Sequence, residues 1–269
     1  MSTYTFGFIG TGSMGSALAR ASARSLEPEK IILSNRRVEK AEALAQSLQC
    51  AVGDNQTVAT EAKYIFLGVK PQMMEELLLS LWATLAQRQD RYILVTMAAG
   101  ITMEGLAKMA GNPCPVIRIM PNTPCAIGEG VVLYDANEFV TEEELEEFTQ
   151  GLQGAGLLDP LEERLIDAGS TVAGCGPAFL FPFIEALADG GVYCGLPREK
   201  ALRYAAQMAA GSAKLLLETG DHPGLLKDQV CSPGGTTIAG VRALERGGLR
   251  SAAMEAVIAA VEKTKELTK

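Results

Sequence analysis

Two stretches of this 269-residue sequence carry residue types and spacings that could do chemistry. The first is Gly10-Thr11-Gly12-Ser13-Met14-Gly15, set between the apolar run Phe6-Gly7-Phe8-Ile9 and Ser16-Ala17-Leu18-Ala19-Arg20. It spells a buried strand, a tight turn and an opening helix. Gly10 makes the turn, Gly12 lets an anion reach the backbone, and Gly15 lets helix and strand pack closely. The helix N-terminus adds free N–H groups and the positive end of a dipole, so the turn suits the pyrophosphate of a dinucleotide. The second stretch is Lys227-Asp228-Gln229-Val230-Cys231-Ser232-Pro233-Gly234-Gly235-Thr236-Thr237-Ile238. Its Pro, paired Gly and paired Thr make a tight turn feeding a helix, whose amides suit a carboxylate and whose hydroxyls can donate hydrogen bonds. The same residues would also serve as a plain helix start, and taken alone the stretch leaves both open.

Positioning the first turn requires a sheet. Ile31-Ile32-Leu33 reads as a second strand and ends in Ser34-Asn35-Arg36-Arg37, where amide and guanidinium groups stand in place of the acidic residue that would hold a ribose 2′-hydroxyl. That composition suits a 2′-phosphate, hence NADPH before NADH. Ser13 to Leu26 and Val38–Gln49 read as helices, Cys50-Ala51-Val52 as a short strand, and Asn55 as the cap or forerunner of a short helix. Tyr64 to Val69 is continuously apolar, as a parallel strand covered on both faces must be. Lys70-Pro71 then starts a helix running to Gln87. Tyr92 to Thr96 and Val116 to Met120 are further strands, ending at Ala98-Ala99-Gly100 and Pro121-Asn122-Thr123-Pro124, and Gly130 to Tyr134 adds another. Strands alternating with helices predict an N-terminal Rossmann-type, doubly wound, mostly parallel sheet, with ligands beyond the carboxyl ends of its strands. Gly10, Asn35, Lys70, Ala98 to Gly100 and Asn122 all fall there and should surround one ligand. Thr141 with Glu144 three residues on spells a capping box for an acidic, solvated helix. The pattern changes at 157–163 and the rest reads as helices, giving a dinucleotide-binding domain over 1–160 and an all-α domain over 161–269. Pro177–Val192 is apolar nearly all round, with Pro182 inside it; so small a helical domain cannot cover such a helix alone, which predicts a subunit interface.

Composition removes several classes of function. A net charge of −8 and a pI near 4.9 argue against nucleic acid or an anionic membrane as partner. Hydrophobic residues make up 48% and mean hydropathy is +0.14, as for a globular protein with a well-buried core. No apolar run approaches the roughly 20 residues of a membrane span, and no signal peptide is expected. The six cysteines are scattered, without C-x-x-C or metal-like spacing, so reduced thiols, a cytoplasmic location and no metal are expected. The one histidine, His222, sits in an Asp-His-Pro turn, which rules out metal sites built on several histidines.

Further motifs fall in register with these two turns: Gly68-Val69-Lys70-Pro71, Ala98-Ala99-Gly100, Asn122-Thr123-Pro124, Gly174-Cys175-Gly176-Pro177-Ala178, Ala188-Asp189-Gly190-Gly191-Val192 and Asp228 to Thr237. Over essentially the whole chain the set resembles the pyrroline-5-carboxylate reductases. The resemblance implies reduction of 1-pyrroline-5-carboxylate to L-proline by NAD(P)H, the last step of proline synthesis, with NADH a second donor to NADPH. It implies a helical dimerisation domain, a homodimer and, in some members, a decamer of five dimers. By position, Ile9, Gly10, Thr11, Gly12, Ser13 and Met14 would hold the pyrophosphate, and Ser34, Asn35 and Arg36 would face the adenosine ribose. Asn55, Gly68, Val69, Lys70, Pro71, Ala98, Ala99 and Gly100 would line the rest of the cofactor. Glu163, Gln229, Thr236 and Thr237 would meet the substrate, partly across the dimer, with Ser232, Gly234 and Gly235 shaping the loop. Gln229 stands where relatives carry Asn and Thr236 where some carry Ala, changes that would shift substrate contacts within one reaction class. Amides from Gly235 to Thr237 would hold the substrate carboxylate, and the Thr237 hydroxyl would donate to the imine nitrogen as hydride reaches the ring. A β-hydroxyacid dehydrogenase would need a lysine after the domain junction, and none occurs between Lys108 and Lys200. A non-catalytic NADPH-binding regulator, or a reductase of another cyclic imine, is the alternative.

Overall fold

The structure is a computed structural model that describes residues 2–111 and 113–267. By packing, the chain divides into two compact units, one reaching Cys175 and joined by the last turns from Val261, the other Gly176–Ala260.

The first unit alternates strand and helix in the order β1 (Tyr4–Ile9), α1 (Ser13–Ser22), β2 (Ile31–Ser34), α2 (Val38–Leu48), β3 (Ala51–Val52), α3 (Asn55–Glu61), β4 (Ala62–Leu67), α4 (Met74–Gln87), β5 (Ile93–Thr96), α5 (Met103–Met109), β6 (Val116–Pro121), β7 (Gly130–Ala136), α6 (Glu142–Leu152), β8 (Gly156–Pro160) and α7 (Glu163–Ala173). The strands form one sheet ordered β3-β2-β1-β4-β5-β6-β7-β8. All neighbours are parallel except β6 and β7, which run antiparallel. Strands β1, β2, β4, β5 and β6 are buried on both faces along most of their length because their residues alternate between two cores. Phe6, Phe8, Tyr64 and Phe66 point to one, where Phe148 of α6 joins them and Phe8 stacks on Phe66 with centroids 4.3 Å apart. Ile9, Ile65 and Leu67 point to the other, under α3 to α5.

Several elements depart from the sequence expectation. Helix α1 ends at Ser22, short of Leu26. Asp54, not Asn55, caps α3: its carboxylate accepts from the Thr57 amide at 2.7 Å. Strand β8 falls where the pattern had seemed to turn wholly helical; it is a half-exposed edge strand, so its Gly-Leu-Leu-Asp-Pro lacks the apolar run of a buried one. Beyond it, α7 lies on β6 and β7, with Ile166 packed against Met120 and Leu133. The capping box of Thr141 and Glu144 forms as the spacing predicts.

The second unit is all helix: α8 (Gly176–Tyr193), α9 (Arg198–Thr219), α10 (Pro223–Val230), α11 (Thr236–Arg246) and the start of α12 (Leu249–Leu267). Its buried core consists of Ala188, Ala201 and Ala205. Large apolar side chains stay outside, with Phe181 64%, Leu217 80% and Tyr193 94% exposed. Glu163–Tyr193, helical but for one turn at 174–175, is long and apolar enough to cross a membrane by length and composition, with mean hydropathy 1.5 over its most apolar window. That overturns the expectation that no run approaches this length. The pieces look short in sequence because charged residues interrupt them at one end, among them Glu163 and Asp167, which pair with Arg118 of β6.

Candidate cofactor cradle and substrate turn

Glycines set the geometry of the first turn. Gly10 has φ +99°, a conformation open to residues without a Cβ. A Cβ on Gly15 would collide with the Gly10 carbonyl oxygen, and one on Gly68 would lie 2.5 Å from it. Main-chain bonds fix the arrangement: Gly10 N–H donates to Ser34 O and Gly68 N–H to Ile9 O, both at 2.8 Å. Gly12, the N-cap of α1, differs. A Cβ there would meet nothing within 4 Å, and no side chain caps the helix amides. The Thr11 hydroxyl is buried without a partner among the described residues. A smooth backbone, uncapped amides and an idle hydroxyl at a helix N-terminus fit a pyrophosphate.

A cleft of about 540 Å³ opens over this turn. It brings together Ile9, Gly10, Thr11, Gly12, Asn35, Arg36, Asn55, Gly68, Val69 and Lys70. An adjoining hollow of about 590 Å³ gathers Ser34, Asn35, Arg36 and Asn55 with Val38, Val52 and Asp54. There the Ser34 hydroxyl donates to Asn55 Oδ1 at 2.6 Å, and the Thr57 amide and hydroxyl hold the Asp54 carboxyl below its ordinary pKa. Ser13 lines a shallower hollow with Gly12 and Lys40, and Met14 packs against the core. Pro71 and Ala98 to Gly100 sit at the ends of β4 and β5, outside these hollows. Asn122 is already employed: Oδ1 accepts from Val131 N–H and Nδ2 donates to Ala173 O.

Residues beyond the sequence expectation also line the cleft: Arg37 and Lys40, with Met73, Glu76, Leu77 and Ser80. The last four recur at helical spacing, so one stripe leading into and along α4 was readable, though nothing in it marked which side faced the cleft. Arg36, Arg37 and Lys40 are exposed, and no carboxylate pairs with them among the described residues. Three such cations beside a phosphate turn make an anion site.

Glu163 is tied down within the first unit. Its Oε1 accepts from Met103 N–H at 2.7 Å and faces Arg118 Nη1 at 3.4 Å, while Arg118 Nη2 reaches Asp167 at 2.5 Å. Arg118 is 2% exposed, so this carboxylate pair neutralises a buried cation. Another hollow, about 740 Å³, runs past Glu163, Met103 and Phe139, away from the glycine turn. Its Glu163 and Asn137 side chains are engaged by neighbouring main chain, so it offers little for chemistry.

The second unit holds the other turn. Gly234 has φ +69°, and Gly235 N–H donates to Ser232 O at 3.0 Å. The Gly235 amide is therefore spent inside the turn. Gly235 caps α11 without a side chain, leaving the amides of Thr236, Thr237 and Ile238 uncapped and exposed, with both Thr hydroxyls beside them. Gln229 lies one residue from the end of α10. His222 is the N-cap of α10, its Nδ1 accepting from Gly224 N–H at 3.0 Å. A cap, not an acid, is what that Asp-His-Pro turn encodes.

A parallel sheet, a glycine turn opening onto uncapped helix amides and a cationic second turn together define an NADP-dependent oxidoreductase. Residues 5–100 match the family model described as NADP oxidoreductase coenzyme F420-dependent, and residues 163–267 match pyrroline-5-carboxylate reductase dimerisation. The pyrroline-5-carboxylate reductase of Escherichia coli K12 is 40% identical over 267 residues, covering 98% of each chain. That of Pisum sativum is 38% identical over 268 residues, 99% of this chain and 97% of the relative. The crystal structure of Plasmodium falciparum pyrroline carboxylate reductase with NADP bound superposes with a TM-score of 0.88 at 29% identity, covering 100% of both chains. This chain belongs to the pyrroline-5-carboxylate reductase family.

Proposed function

We propose that the chain reduces 1-pyrroline-5-carboxylate to L-proline with NADPH as donor. The observation that carries this is identity of about two-fifths, over nearly the full length of both chains, with reductases of that name. Bound NADPH supplies the hydride for the imine carbon. The turn from Ile9 to Met14 holds the pyrophosphate through the amides of α1 and the Thr11 hydroxyl, and Arg36, Arg37 and Lys40 hold the 2′-phosphate. Ser34 and Asn55 bound the adenosine side; Gly68 to Pro71 and Ala98 to Gly100 lie along the strand ends toward the nicotinamide. Uncapped amides at Thr236, Thr237 and Ile238 hold the substrate carboxylate and so orient the ring. The Thr237 hydroxyl donates to the imine nitrogen as it becomes an amine, a role that needs no strong acid. Gln229 and Thr236 tune the fit of the ring, and Ser232, Gly234 and Gly235 keep the turn in shape. Glu163 serves the substrate through its place at the start of α7.

A functional division into 1–160, which binds the dinucleotide, and 161–269, which pairs the subunits, follows the composition shift. The apolar side chains left outside in α8 and α9 support a homodimer, and five such dimers make a decamer in the higher assembly. Six cysteines without a disulfide among the described residues support a cytoplasmic setting.

NADPH oxidation by the purified protein is the test. With 1-pyrroline-5-carboxylate, turnover should yield proline, faster with NADPH than with NADH at equal concentration. Tight NADPH binding without turnover of this imine would overturn the assignment and leave the fold standing.

A further inference from the structure

Asn35 lies between the two anion sites of the cleft, and each end of its carboxamide bonds to main chain. Its Oδ1 accepts from the Thr11 N–H at 3.1 Å, and its Nδ2 donates to the Arg37 carbonyl at 2.9 Å. Thr11 stands between Gly10 and Gly12 in the pyrophosphate turn, while Arg37 belongs to the basic turn with Arg36 and Lys40. The sequence points Asn35 at the adenosine ribose; in the fold each end of its amide also makes a bond to protein. Among the described residues one other hydrogen bond joins these two loops, Gly10 N–H to Ser34 O, and it lies at their base where the strands already pair.

We infer that Asn35 is a positioning residue that sets cofactor preference: it clamps the basic turn to the pyrophosphate turn, so discrimination for NADPH over NADH depends on it without its touching the 2′-phosphate. This rests on the proposal that the basic turn reads that phosphate. The physical ground is that NADPH presents two anionic groups held apart by one ribose. A ligand that engages both sites gains from the second only if the two loops keep a fixed spacing. NADH needs the glycine turn alone, so it should be nearly indifferent to where Arg36, Arg37 and Lys40 stand. The three cations are exposed and pair with no carboxylate among the described residues, so no ion pair there holds them in place once the clamp is gone. The Thr11 amide, in turn, is aimed by Asn35 and not by the ligand, which leaves the idle Thr11 hydroxyl as that residue's donor to the phosphate.

The experiment is a double-mutant cycle read by calorimetric binding of NADPH and NADH to the full-length protein: wild type, Asn35→Ala, Arg36→Ala and the pair. Losing the clamp should weaken NADPH about tenfold, the size of one to two net hydrogen bonds, and NADH about threefold or less. Arg36→Ala should then cost NADPH clearly less in the Asn35→Ala background than in wild type, because the guanidinium is already out of place. Additive losses would mean that Asn35 contacts the cofactor directly and would overturn the clamp, with the basic-turn proposal intact. Unchanged NADPH affinity in Asn35→Ala would overturn it too. Equal weakening of NADPH and NADH by Arg36→Ala alone would refute the basic-turn proposal and the clamp with it. Asn35→Ser, too short to reach both partners, repeats the cycle should the alanine variant not fold, with melting curves establishing that each variant is native.

Discussion

At the scale of single residues, the functional side chains are those whose polar atoms are left over. Thr11 keeps an idle buried hydroxyl, whereas the Asn122 carboxamide and the Nδ1 of His222 bond to main chain. Sequence shows which atoms a residue owns and not which of them the fold will use, so these residues were indistinguishable until placed. Glu163 makes the point most sharply: an acid at the domain junction reads as a substrate ligand, yet its Oε1 is shared by Met103 and buried Arg118. In the proposed mechanism Thr237 is the residue on which the chemistry most depends. Thr237→Ala should lower kcat/KM for the imine about 100-fold, the usual size for a positioned proton-transfer group, with cofactor affinity unchanged. Steady-state kinetics alongside NADPH titration would measure both, and unaltered kcat/KM would remove the hydroxyl from the mechanism.

At the scale of elements, the strand–turn–helix at the N-terminus was legible because three constraints coincide on six residues: a positive φ, a close backbone approach and an open N-cap. The crossed contact between Gly10 and Gly68 was less so, since it joins β1 to β4 across more than fifty intervening positions and depends on strand order. The edge strand β8 and the seven-residue α5 were hard to read for a different reason: short segments with mixed polarity give periodicity too little length to act on. The glycines predict a contrast. Gly68→Ala drives a Cβ into a carbonyl oxygen and should cost about 1–3 kcal/mol, seen as a lower Tm. Gly12→Ala should leave the Tm within a degree or two and instead weaken NADPH, because its Cβ enters the space an anion needs.

At the scale of the whole molecule, the two units are built on different principles. The first buries aromatic and branched side chains on both faces of an eight-stranded sheet, while the second encloses only three alanines. Surface of that kind, in a chain matching a dimerisation model, supports the proposed dimer, for which static light scattering should give twice the 28.5 kDa chain mass or a multiple of it. Phe181→Glu, at an exposed apolar site of α8, should shift the mass toward the single chain; a wild-type monomer would sink the dimer proposal. The dimer proposal would also account for the apolar stretch from Glu163 to Tyr193.

A three-alanine core also has a thermodynamic corollary. On the dimer proposal, helices that lack an interior of their own would acquire one when two chains meet, and folding of this half of the molecule would be a second-order reaction. Dilution then acts as a denaturant: Tm should climb with protein concentration, and nascent chains would wait for a second copy before the substrate turn becomes rigid.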